Sequence, residues 1–200
     1  LLSLGRMSQV SRPAIATLFP TSTGRPTVVL DVGANAESKP QHLAQFAVMG
    51  SVFASVMLNL ESPRVGLLSI GEERSKGNEL ILNAHELLKG SHINFVGNIE
   101  GRDILSGEVD VAVTDGFTGN IFLKFAESLP SLFGSEESSR LAKLDPKQYG
   151  GVPILGVKGI SVVCHGNSNA SAITAAIIEA NRMVKAQLTE KMEKLAAKLR

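Results

Sequence analysis

Tryptophan is absent, and tyrosine and cysteine each occur once. A single thiol, Cys164, cannot close an intramolecular disulfide, so cysteine usage points to a reducing compartment. Neither CxxC nor HExxH is present, and no other spacing of His, Cys, Asp and Glu suggests a metal. No apolar run reaches the roughly 18 residues of a membrane-spanning helix. No basic stretch leading into an apolar one opens the chain as a secretory signal would, and a cytoplasmic protein is expected. Excess charge is lacking too: 20 basic and 19 acidic side chains leave a net charge of +1. The most basic stretch, EKMEKLAAKLR at the C-terminus, is interleaved with glutamate, so no field exists to gather nucleic acid.

What is present is 44% hydrophobic residues in 200, enough for one sizeable core. The pattern predicts a helix at the opening LLSLGRMSQV, which has no capping residue before it and reads as part of a longer chain. Strands follow over Ala14 to Leu18 and Thr27 to Val32, then a buried helix through QHLAQFAVMGSVFASVMLNL. Further strands are expected at Arg64 to Ile70, Ile93 to Val96 and Val109 to Thr114, with helices at NELILNAHELLKG and from about Gly119 to Leu132. A short strand in GISVVCH and one long helix, Ser168 to Leu199, complete the pattern. The recurring alternation of strand and helix predicts a single α/β domain over residues 1–200 with a mostly parallel sheet. The segment 127–150 lacks periodicity and is read as a mobile excursion.

The strand ends carry the chemistry. The runs end in GANAESKP, GEERSKGNE, GNIEGRD, DGFTGN and CHGNSNAS. In a parallel sheet such tips share one edge, so all five loops are expected to converge on one crevice. Their Gly, Asn, Ser, Thr and Lys residues suit an anion. Backbone N–H groups approach closely at glycines, Lys39 and Lys76 supply charge, and helix N-termini begin near Asn78, Asn120 and Ser168. Phosphate is the expected ligand. Neither G-x-x-x-x-G-K-[ST] nor G-x-G-x-x-G occurs, so no nucleotide cofactor is expected. Each feature also has a plain structural role: the glycines as turns, Asn78 and Ser168 as helix caps, and Cys164 as a small buried residue. His165 is a candidate because it follows a strand, while His42, His85 and His92 receive no role.

The blocks LDVGANAESKPQHLAQFAVMGS, PRVGLLSIGEERSKGNEL, NFVGNIEGRDIL, DVAVTDGFTGNIFLK and YGGVPILGVKG, and more loosely HGNSNASAI, occur in order across most of Leu30 to Ile173. In them the sequence resembles the bacterial phosphate acyltransferases of the PlsX type. The resemblance implies a three-layer α/β/α fold like that of isocitrate and isopropylmalate dehydrogenases, seen here as the C-terminal part of a longer homodimeric protein. It implies transfer of a fatty acyl group from acyl-acyl carrier protein to inorganic phosphate, giving acyl phosphate for a downstream glycerol-3-phosphate acyltransferase. It also implies peripheral membrane contact through a helical hairpin, which 127–150 would shorten. HGNSNAS differs from the family's more usual HGSSDA, with Asn169 in place of an acid.

On this basis Lys39, Asn78, Asn35 and Lys76 are expected to act on phosphate or the oxyanion. Asp31, Gly33, Gly77, Glu79, Asn98, Asp115, Gly116, Asn120 and His165 are expected to line the substrate site. The alternatives are a phosphotransacetylase-like enzyme using acyl-CoA and a non-catalytic scaffold that binds carrier protein.

Overall fold

Val28 and Leu30 bury their side chains in one apolar cluster and Val29, between them, in another. Val111 and Val113 face the first cluster and Ala112 the second, so the sheet separates two cores in the two-residue rhythm of a strand covered on both faces. The computed structural model describes residues 4–129, 151–166 and 168–196.

The strands are β1 (Ala14–Phe19), β2 (Thr27–Leu30), β3 (Val65–Leu68), β4 (Phe95–Ile99), β5 (Val111–Val113), β6 (Val152–Leu155) and β7 (Val162–Val163). They form one seven-stranded sheet in the order β4-β3-β5-β2-β1-β6-β7. β4, β3, β5 and β2 are parallel neighbours. β1 runs antiparallel between β2 and β6, and β7 antiparallel along β6, so five of the seven strands point the same way.

The helices are α1 (Pro40–Met57), α2 (Glu79–Lys89), α3 (Asp103–Ser106), α4 (Gly116–Ser128), α5 (Ala170–Lys185) and α6 (Leu188–Ala196). Leu43, Phe46, Phe53, Ile81, Leu88, Met183 and Met192 bring α1, α2, α5 and α6 onto the larger core. Ile104, Leu123 and Ala126 bring α3 and α4 onto the other, which makes the three layers of an α/β/α fold. None of the described helices is long and apolar enough to cross a membrane.

Several expectations are corrected. Leu4 to Val10 form no helix; Arg6 instead bridges to Val157 as a single antiparallel pair. The long C-terminal helix is two helices, broken where Gln187 adopts a left-handed φ of 54°. β6 was not foreseen, because its four residues include a proline and follow a stretch with no period. Residues 130–150 of the expected excursion, and 1–3 and 197–199 of the expected terminal helices, lie outside the described residues.

The largest correction concerns β7. Val163 pairs with Val152, the first residue of β6, and β6 points the same way as β2. The loop after β7 therefore leaves at the edge opposite to the ends of β2, β3, β4 and β5. Four loops converge, and His165 is not among them.

Candidate functional site

The loop after β2 is organised from inside. Asp31 is 0% exposed, and its Oδ1 accepts N–H bonds from Ile15 (3.0 Å), Gly33 (3.2 Å) and Ala34 (2.9 Å). Its Oδ2 accepts from the backbone N–H and the Nδ2 of Asn35, both at 2.8 Å. Five donors on one buried carboxylate fold the turn around it, since a buried anion is tolerated only when it is fully hydrogen-bonded. Asp31 thus has no surface to offer a ligand, contrary to expectation.

Asn35 is corrected in the same way. The second hydrogen of its Nδ2 goes to the carbonyl of Pro13 at 2.7 Å, so both side-chain hydrogens and the backbone N–H are committed. Asn35 can shape the loop but has no N–H to give phosphate.

The N-terminus of α4 rests directly on this turn. Gly116 donates its N–H to the carbonyl of Asn35 at 3.0 Å, and a Cβ at Gly119 would collide with the carbonyl oxygen of Asp31. Asp115 caps the helix: its Oδ1 accepts from the N–H groups of Phe117 (3.0 Å) and Thr118 (2.9 Å), and its Oδ2 from the Thr118 hydroxyl (2.8 Å). Its carboxylate is spent on the cap. Asn120 is exposed one turn on, and a Cβ at Gly33 would lie 3.4 Å from its Oδ1, so the two meet at the rim.

At the end of β3, Ser69 to Asn78 forms the second wall. Gly77 has φ +112°, and a Cβ there would press on Ile81, so the turn into α2 requires glycine. Asn78 is exposed and caps α2 by accepting the N–H of Ile81 at 3.0 Å through Oδ1, with no partner on its Nδ2 among the described residues. Lys76 and Glu79 are exposed on either side of it.

Asn98, expected to touch substrate, is 5% exposed and turned into the protein. Its Nδ2 donates to the carbonyls of Glu73 (2.9 Å) and Lys76 (3.3 Å), and its Oδ1 lies 3.0 Å from Nδ1 of His85. Sequence reasoning passed over His85. The available signal was a polar residue within the apolar stripe Ile81, Ala84, Leu88 of α2, where a buried imidazole needs a partner.

Along the sheet edge the order is the β3 loop, the β5 tip and the β2 loop. At about 4.8 Å per strand, Lys76 and Lys39 therefore belong to loops about 10 Å apart. The β2 and β3 loops feed helices on one face and the β5 tip feeds α4 on the other, so the crevice is a topological switch point. The N-termini of α1, α2 and α4 all begin here, each adding partial positive potential. No ion pair among the described residues occupies Lys39 or Lys76. Next to Lys39, His42 accepts the Lys39 N–H on Nδ1 at 3.1 Å. Burial holds its pKa below the usual value, and the neighbouring charges of Arg12 and Lys39 lower it further. No group of three or more His, Cys, Asp or Glu residues is placed to hold a metal among the described residues.

The profile of a family described as "Fatty acid synthesis protein" matches residues 1–138 and 135–191. A protein named phosphate acyltransferase from Moorella thermoacetica is 47% identical across 92% of this chain and 60% of its own length. Another of that name from Pelotomaculum thermopropionicum is 49% identical across 95% of this chain and 61% of its own. The chain thus spans about three fifths of the length of these curated relatives. Among solved structures, a phosphotransacetylase from Streptococcus pyogenes superposes with a TM-score of 0.63 at 20% identity, covering 92% of this chain and 56% of that one. A branched-chain phosphotransacylase from Enterococcus faecalis V583 gives 0.60 at 18% identity, covering 86% of this chain and 65% of that one. At such identities the likeness is one of fold.

Proposed function

The chain belongs to the fatty acid synthesis protein family, and from that premise we propose that it supplies the phosphate-binding wall of an acyltransferase. The reaction moves a fatty acyl group from acyl-acyl carrier protein to inorganic phosphate. The observation that carries this reading is the placement, at one switch point of the sheet, of three helix N-termini and of two loops whose lysines have no ion pair among the described residues.

A phosphate oxygen attacks the thioester carbonyl, the tetrahedral intermediate collapses, and the C–S bond breaks. Acyl phosphate leaves together with the carrier thiol, whose sulfur takes up the proton that phosphate gives up. Phosphate brings its own nucleophilic oxygen, so no covalent enzyme intermediate is needed. What the protein must add is a cradle for the dianion and donors for the oxyanion. Lys39 and Lys76 hold phosphate from two sides. Asn78, through Nδ2, and the unpartnered N–H groups at the start of α2 face the developing negative charge. Asn120 and Gly33 close the rim, while Asp31, Asn35, Asp115 and Gly116 keep the β2 and β5 loops in register.

The acyl chain runs along α4. Phe117, Ile121 and Phe125 are spaced four residues apart and are 63%, 55% and 63% exposed, an apolar stripe that starts at the site and leads away from it. The same stripe supports peripheral membrane contact. The exposed Ile173, Ile177, Ile178 and Val184 of α5 favour a face covered by a second copy, in keeping with a homodimer. The product would pass to a glycerol-3-phosphate acyltransferase.

Hydroxamate trapping on the full-length protein tests the reading. Acyl hydroxamate should form from acyl-carrier protein plus phosphate. If acyl-CoA serves and acyl-carrier protein does not, the donor assignment is wrong; with neither donor active, the enzyme reading is lost in favour of a scaffold. Lys39→Ala and Asn78→Ala should each lower acyl-phosphate formation by about 10²-fold. Turnover near wild type in a folded variant removes that residue from the site.

A further inference from the structure

His85 and Asn98 lie beneath the rim, yet every side-chain hydrogen bond they make among the described residues leads to the loop that bears Lys76. Asn98 spends both hydrogens of Nδ2 on loop carbonyls, those of Glu73 (2.9 Å) and Lys76 (3.3 Å). Its Oδ1 can therefore only accept, and the atom 3.0 Å away is Nδ1 of His85, which must carry the hydrogen. The other tautomer would set two lone pairs against each other. Rotation of the imidazole is restricted by Phe95, which it meets edge-on with ring centroids 5.1 Å apart at 77°.

Other ties on this loop are weaker or local. Ser69 Oγ donates to the Lys76 carbonyl at 3.2 Å and Lys76 N–H to the Glu73 carbonyl at 2.9 Å. The Arg102–Glu72 pair, which reaches the loop from the residue before α3, and the Arg74–Glu86 pair, which ties the loop to α2, are solvent-exposed and contribute little. Among the described residues, Asn98 is the buried side chain that fastens the turn to the sheet, and His85 holds the Oδ1 end of its amide.

We propose that His85 and Asn98 are positioning residues: a tautomer-fixed relay from α2 through β4 that sets the Lys76 carbonyl, and with it the Lys76 and Asn78 side chains, at the phosphate site. The inference rests on the phosphate-facing reading of that loop. It replaces substrate contact by Asn98 with an indirect role, and it gives a role to a histidine that had none.

The test compares His85→Leu, which removes the donor, with His85→Asn, whose amide N–H can take the place of Nδ1–H, in the full-length protein. The Leu variant should raise the KM for phosphate by about tenfold and leave the KM for the acyl donor unchanged, while the Asn variant should return to within about threefold of wild type. Lys76→Ala and His85→Leu combined should raise the phosphate KM by less than the product of the two single effects, because the part of the His85 effect that runs through the Lys76 side chain is already lost in Lys76→Ala. A lowered Tm with unchanged phosphate KM, an Asn variant no better than Leu, or additive effects would overturn the proposal. Should the Leu variant not fold, Asn98→Asp takes its place, since it keeps the acceptor facing His85 but withdraws both donors from the loop. Amide hydrogen exchange over Glu72 to Gly77 separates this proposal from the activity. If the wild type makes no acyl phosphate, the enzyme reading fails. Faster exchange in His85→Leu than in His85→Asn still supports the relay, and equal exchange ends it.

Discussion

Three asparagines near one edge of the sheet do three different things, and the difference lies in which of their hydrogens are already engaged. Asn35 has given all its N–H groups to Asp31 and Pro13, Asn98 has given its own to the carbonyls of Glu73 and Lys76, and Asn78 keeps Nδ2 open. Residue type in the sequence cannot separate these roles, because long-range partners decide them. Gly119 makes the same point without a side chain. Its lack of a Cβ lets α4 lie on the carbonyl of Asp31. Gly119→Ala should therefore cost about 3 kcal/mol by overpacking against backbone that cannot rotate away. Urea unfolding measures it, and a loss below about 0.5 kcal/mol would show that α4 can slide.

At the scale of elements, α5 and α6 are separated by chemistry that periodicity does not register. The N–H of Gln187 bonds to the carbonyl of Val184 at 3.0 Å, closing α5 with a residue in the left-handed region that L side chains avoid. Gln187→Gly should raise stability by about 0.5–1 kcal/mol. Unchanged or lower stability in urea would mean that the Gln187 side chain stabilises the break. Glutamine is no helix breaker by propensity, which is why the sequence reads as one long helix there. The opposite case is α1. Its run of Leu43, Phe46, Ala47, Gly50 and Phe53 at helical spacing is legible because packing and propensity agree.

For the whole molecule, the two edges of the sheet are held differently. Opposite the candidate site, Asp110 is buried and accepts the Arg64 backbone N–H at 2.8 Å and its guanidinium at 3.0 and 3.1 Å, while Arg64 also donates to the carbonyl of Gly107 at 2.7 Å. Burial raises the pKa of this carboxyl, but the Arg64 hydrogen bonds and charge outweigh it and hold it below the usual value of 3.8. A depressed folded pKa contributes stability above the unfolded value that is lost as pH falls from about 4 through the folded one. Wild type should therefore lose more of its urea midpoint between pH 5 and pH 3 than Asp110→Asn does. Parallel curves would remove Asp110 as a source of acid sensitivity.

The core strands and the buried helices were legible in the sequence, since they follow from local period and residue type. Strand direction was not. Nothing in GISVVCH distinguishes a strand running with β6 from one running against it, and that choice alone moved His165 to the far edge.

The position of β1 has a consequence for the order in which the sheet can close. Ala14 and Ile15 pair on one side with Leu155 and Ile154, more than a hundred residues later in the chain. A ribosome releases β1 long before its second neighbour exists, and through that interval one flank of the strand has unpaired N–H and C=O groups. β2 follows within a few residues and can zip onto the other flank, and β5 can join it, before β6 emerges. The strands that lead into the candidate site thus have a route to assembly that does not wait for the end of synthesis, while β6 and β7 come last.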